Sequence, residues 1–115
     1  VLSPTSVRLM ASDHLGEGIE TPVEPGELLM GVPGYTLGLG FMVRKEDGIA
    51  GVPGSAGEFI WAGYGGTFFW VDPEEELVVM MMSQRAGPSR AYYRKLVKQL
   101  VYQAITDPVP TAPVQ

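Results

Sequence analysis

The chain has no cysteine, a single histidine, and only eight Lys and Arg against thirteen Asp and Glu in 115 residues. Without cysteine, a disulfide framework, an iron–sulfur cluster and thiol catalysis are all excluded. With His14 alone, no histidine cluster can hold zinc, and neither a metal nor another cofactor is expected. Long apolar runs are also missing: the longest, Leu77 to Met82, falls far short of the ~18 residues of a membrane-spanning helix. Charge makes up 18% and hydrophobic residues 45%, so the chain has a core to bury and too little charge for disorder. Net charge is −5, and no nucleic-acid recognition motif accompanies it, so nucleic acid is not an expected partner. The balance is uneven along the chain. Arg85, Arg90, Arg94, Lys95 and Lys98 gather near the C-terminus, where they read as the solvated face of a helix.

Glycine and proline, by contrast, are abundant, at 15 and 10 residues. Without a collagen period they predict many turns and short strands in one α+β domain. Ser3 and Pro4 read as the N-cap and first residue of a helix running from 4 to about 14, with Val7, Met10 and Ala11 inward, His14 in its last turn and Gly16 ending it. Eight breakers between Gly16 and Gly34 predict a loop. Tyr35 to Lys45 alternates as one strand, with Gly38 and Gly40 marking either a close approach of another backbone or ligand, or a bulge.

After a second loop, Asp47 to Gly57, two aromatic-rich runs flank Gly65-Gly66 and predict a hairpin. The run Leu77 to Met82 suits a central strand covered on both faces. The apolar pairs Tyr92/Tyr93, Leu96/Val97, Leu100/Val101 and Ala104/Ile105 then predict a C-terminal helix capped by Ser89 and laid on the sheet. The fold expected is an antiparallel sheet of about four strands with an N-terminal and a C-terminal helix, residues 1–107, followed by a Pro-rich tail, 108–115.

No complete catalytic constellation follows. A Ser-x-x-Lys box, whose lysine takes the serine proton from one helical turn away, is absent: the residues three after the six serines are Ser6, Leu9, Leu15, Glu58, Ala86 and Tyr92. Pro53-Gly54-Ser55-Ala56-Gly57 lacks the first glycine and the strand-to-helix setting of a nucleophile elbow, and reads as linker. Glu74-Glu75-Glu76 reads as a solvated turn, and Met80-Met81-Met82 as core. Gly63-Tyr64-Gly65-Gly66-Thr67 lacks the lysine and the helix of a phosphate loop.

The stretch Gly57-Glu58-Phe59-Ile60-Trp61-Ala62-Gly63-Tyr64-Gly65-Gly66-Thr67-Phe68-Phe69-Trp70-Val71-Asp72-Pro73 resembles the third-motif strand and hairpin of the serine β-lactamase-like hydrolases, above all class C β-lactamases and family VIII carboxylesterases. The opening helix, the Gly34 to Phe41 strand and the Leu77 to Gln84 segment fall in the family's order. The resemblance covers nearly the whole chain but only about the C-terminal third of the family's domain. That family's third box is Lys-Thr-Gly, His-Thr-Gly or Trp-Gly-Gly, and Trp61-Ala62-Gly63 stands in its place with alanine in the middle. The resemblance implies that the Tyr64 backbone N–H is an oxyanion-hole donor, that Gly63 admits substrate to the strand, and that uncharged Trp61 with Ala62 and Gly63 shapes a pocket for a small ester or amide.

The family's Ser-x-x-Lys and Tyr-x-Asn or Tyr-x-Ser boxes lie upstream of the matched region. None of the five tyrosines here has Asn or Ser two residues on. The resemblance therefore implies a C-terminal segment of a serine hydrolase, inactive alone and completed by an upstream remainder that carries the nucleophile. Isolated, such a segment would leave sheet surface uncovered and could form a homodimer. The other reading is a self-standing α+β binding module whose aromatic hairpin is packed core.

Overall fold

The computed structural model describes residues 1–110, so positions 111–115 of the expected tail lie outside the described residues. Ser3 opens helix α1 (Pro4–Met10), its Oγ accepting the Ser6 N–H at 3.1 Å, with Pro4 where a missing donor costs nothing. The helix stops four residues short of the expected end. Asp13 Oδ1 takes the N–H groups of Leu15 and Gly16, turning the backbone away from helical bonding, so His14 and Gly16 lie beyond the helix. Its expected inward stripe is not a buried one: Val7 is exposed, and Met10 and Ala11 are half-buried.

The breaker-rich segment contains a short helix rather than loop alone. In α2 (Pro25–Met30) the breakers serve as caps, with Pro25 in the first turn and Gly31 at φ 67° closing the end. The expected single strand from Tyr35 to Lys45 is two, β1 (Tyr35–Leu37) and β2 (Met42–Arg44), joined by a tight turn. A Cβ on Gly38 would stand 2.1 Å from the Met10 carbonyl, and Gly40 has φ 88°, so this segment turns where only glycine fits. The close backbone approach read from these glycines is thus present. It also raises the strand count from about four to five.

The remaining strands are β3 (Phe59–Ala62), β4 (Phe68–Asp72) and β5 (Leu77–Met81), and the sheet runs β1-β2-β3-β4-β5, antiparallel throughout. The β3–β4 hairpin turns at Gly65-Gly66 as expected, with Trp61 opposite Phe69. Strand β5, however, is an edge strand, not a central one; Val78, Met80 and Met82 are exposed, so the methionine run is not core throughout.

Helix α3 (Ser89–Gln103) packs on the sheet face that carries Ile60, Phe68 and Trp70. Pro88, not Ser89, is its N-cap, and Ser89 Oγ instead accepts from Arg85 Nε. Fully burying Ile60, Met30 and Trp70 contributes about 1.5–3 kcal/mol each before entropy is counted. The opposite face is covered over β1 and β2 by the segment after α1, where Asp13 accepts from Thr36. Over β3 and β4 the Phe41 ring packs on Phe59 and Phe69, at 5.0 and 6.3 Å between centroids, and beyond it the face stays open, with Trp61, Val78 and Met80 exposed.

Candidate active site

Strand β2 pairs with β3 only at Met42↔Ile60 and Val43↔Phe59, so the β2-side edge of β3 is open past Ile60. Gly63 donates to Thr67 O at 2.9 Å across the hairpin. Gly63 O accepts from Gly66 N–H inside the turn, so the N–H at the other end of the same peptide, that of Tyr64, points the opposite way, out of the turn. Among the described residues no carbonyl or side chain accepts from it. A Cβ on Gly63 would lie 2.2 Å from Thr67 Oγ1, so any side chain there would force the Thr67 hydroxyl to turn aside. Gly66, at φ 119°, closes the turn, its N–H reaching Gly63 O at 3.2 Å.

The Tyr64 ring is exposed, under the Arg90 guanidinium at 5.0 Å, and Arg90 Nη1 donates to the Tyr64 carbonyl at 2.6 Å. Trp61, 44% exposed, borders two apolar clefts. One, of about 250 Å³, runs along Ala62, Gly63, Met80 and Met82; the other, of about 380 Å³, lies against Val23, Leu28, Leu37 and Met42. A third, of about 210 Å³, brings Leu28, Ala62, Gly63 and Tyr64 together with Arg90 and Arg94. Strand β3 and its turn thus bring Trp61, Ala62, Gly63 and Tyr64 to one rim. A larger cleft of about 450 Å³, between Val52 and Lys95, shares no residue with β3.

Behind this rim stands a buried polar network that the reading of the sequence missed. Glu58, fully buried just before β3, receives Lys98 Nζ at 2.9 and 2.7 Å and the Tyr35 hydroxyl. Arg44 lies 3.6 Å from the same carboxylate and also donates to the carbonyls of Val52 and Pro53. Beside it, Asp72 accepts from Ser55 at 2.9 Å and Tyr102 at 2.7 Å, and Tyr102 accepts from the Trp70 indole. Ser55 is therefore a buried structural hydroxyl, not a linker side chain.

The expectation that the C-terminal cations are all solvated fails for two of them: Arg94 and Lys98 are the buried residues of α3. The inward stripe is Arg94, Val97, Lys98, Val101 and Tyr102, while Tyr92, Tyr93 and Leu100 are exposed. A visible signal existed, since Arg94, Lys98 and Tyr102 recur every four residues on one helix face. Burial pushes the Lys98 amine below its ordinary range, although Glu58 pulls the other way. Desolvation, then the neighbouring Arg90, likewise lowers Arg94.

Chemically, the rim offers a backbone donor beside apolar clefts, with neither nucleophile nor general base among the described residues that line it. The described residues also form no group of three or more His, Asp or Glu able to hold a metal ion.

A family model described as Beta-lactamase matches residues 2–103. Two Mycobacterium tuberculosis proteins, MT1414 of strain CDC 1551 / Oshkosh and Rv1367c of strain ATCC 25618 / H37Rv, are each 34% identical over 92 residues, covering 73% of this chain and 21% of their own length. The chain thus spans about a fifth of the curated relatives it matches. Among solved structures, EstCE1, a hydrolase with promiscuous acyltransferase activity, superposes with TM-score 0.70 at 22% identity over 89% of this chain and 25% of its own. An Aspergillus terreus simvastatin synthase, the LovD6 mutant of LOVD, gives TM-score 0.63 at 19% identity over 89% and 29%.

Proposed function

The chain belongs to the beta-lactamase family, and from that premise we propose that it is the C-terminal portion of a serine hydrolase of carboxylesterase or β-lactamase-like type. The observation that supports this most is the Tyr64 N–H, unpaired among the described residues, on the open edge of β3 and beside a side-chain-free Gly63. In the complete enzyme an upstream serine attacks the carbonyl carbon of an ester or amide while an upstream lysine and tyrosine move the protons. The charge that develops on the carbonyl oxygen is held by the Tyr64 N–H, a donor already fixed before reaction. Trp61 carries no charge, so with Ala62 and Gly63 it forms an apolar wall that favours a neutral ester over a substrate bearing a carboxylate.

The upstream remainder is also the partner that covers the open face of β3 to β5. Exposed Trp61, Val78 and Met80 there would otherwise drive isolated chains to pair. A preparation shown by native mass spectrometry to hold only these residues should leave a p-nitrophenyl ester intact. In the complete hydrolase, replacing the Tyr64 N–H by an ester oxygen should lower kcat about 100- to 1000-fold. An unchanged kcat would remove Tyr64 from the oxyanion site.

A further inference from the structure

We propose that Arg94 is a positioning residue that aims the Tyr64 N–H by gripping the other end of the same peptide group. Arg94 is buried inside α3, yet among the described residues no carboxylate pairs with it. Its Nη2 donates to Gly63 O at 2.8 Å and to Thr67 O at 3.3 Å, and its Nη1 to Leu29 O at 2.8 Å. Its Nε finds no acceptor among the described residues. All three of its acceptors are backbone carbonyls, two from the β3–β4 turn and one from α2.

One of the three is decisive. The Gly63 carbonyl and the Tyr64 N–H belong to one peptide bond, which is planar and trans, so the two bonds point in opposite directions. Fixing Gly63 O against Arg94 fixes the Tyr64 N–H pointing away from the guanidinium, on the opposite side of the peptide. Gly66 N–H, at 3.2 Å, occupies a second direction on the same oxygen, so the peptide is held at its carbonyl from two sides. A charge-assisted bond to the carbonyl also polarises the peptide and strengthens its N–H as a donor. Thr67 O and Leu29 O tie the far side of the turn and α2 to the same cation, closing the rim that carries Gly63 and Tyr64. The role differs from substrate binding: Arg94 holds the back of the Gly63 peptide and lines neither of the two clefts that Trp61 borders.

The inference rests on the proposed role of Tyr64 and is tested in the complete hydrolase with Arg94→Gln, turnover being counted per titrated active site. The expected result is a kcat lowered roughly 10- to 100-fold with KM nearly unchanged, because an interaction made only in the transition state is lost. The Gly63 carbonyl carbon resonance should move as its charged donor disappears. Arg94→Lys, which keeps the charge and one donor, should recover part of both, and it carries the test where Arg94→Gln does not fold.

An unmoved Gly63 resonance, or an unchanged kcat per active site, overturns the assignment of Arg94. Replacement of the Tyr64 N–H by oxygen separates the two ideas. If that change lowers kcat while Arg94→Gln does not, only the positioning role falls; if neither lowers kcat, the reading of Tyr64 falls with it.

Discussion

Removing the Lys98 ammonium should destabilise the domain far more than removing both Lys98 and its partner. Lys98 Nζ bonds both oxygens of Glu58, and neither side chain reaches water. In Lys98→Met the aliphatic stem is largely replaced, and the Nζ contact over the Trp70 ring, 4.5 Å from its centroid, is lost. Glu58 keeps the Tyr35 hydroxyl and Arg44, but Arg44 stands at 3.6 Å and directs its donors to backbone carbonyls. Truncating one member of a buried ion pair typically costs about 3–5 kcal/mol, chiefly the penalty of the charge left behind. Against a total stability of about 5–15 kcal/mol, that is a large share.

Neutralising the stranded carboxylate in Lys98→Met/Glu58→Gln should restore at least half of the loss, since replacing both partners of a buried pair is often close to neutral. Urea unfolding followed by circular dichroism measures each variant, with m checked for constancy. A single-variant loss below about 1 kcal/mol, or a double variant that costs the sum of the two singles, would refute the view that the stranded charge, rather than the lost contacts, causes most of the destabilisation.

High pH should unfold the protein through Tyr35 and Tyr102, whose hydroxyls are pushed well above the ordinary range, mainly by burial and then by Glu58 and Asp72. The folded state holds these protons where the unfolded chain loses them, so their contribution is complete below about pH 10 and declines above it by ~1.4 kcal/mol per pH unit for each tyrosine. Lys98 works in the opposite sense, since its lowered folded value makes stability rise with pH, but only up to about 10.5. A steep fall in Tm between about pH 10.5 and 12, made shallower in Tyr102→Phe, is expected; a flat profile would contradict it. Gly38→Ala should destabilise by about 1–3 kcal/mol, because its Cβ would meet the Met10 carbonyl at 2.1 Å, and thermal melts that match wild type would show that the turn relaxes freely.

The hairpin Trp61 to Trp70 was legible because its signals are local: aromatic, β-preferring runs on either side of a Gly-Gly turn. The same holds for the C-terminal helix, whose apolar pairs recur at helical spacing. Less local features were misread. In the segment from Gly16 to Gly34 each proline and glycine reads as a breaker, yet Pro25 and Gly31 cap a helix that gains its stability by packing Met30 into the core. Strand β5 reads as central from its composition, but its place depends on what lies beside it, and within the described residues it is the sheet's edge.

The buried cations show the division most sharply. Sequence alone established an α+β chain, an aromatic hairpin and a helix with an apolar stripe; it did not establish which way that helix is rotated on the sheet. Glu58, 40 residues from Lys98, and Gly63, 31 residues from Arg94, decide it, because a cation is tolerated in the core only where acceptors from other elements meet it. Those acceptors converge only once the chain has folded, and the orientation of the Tyr64 N–H is determined with them.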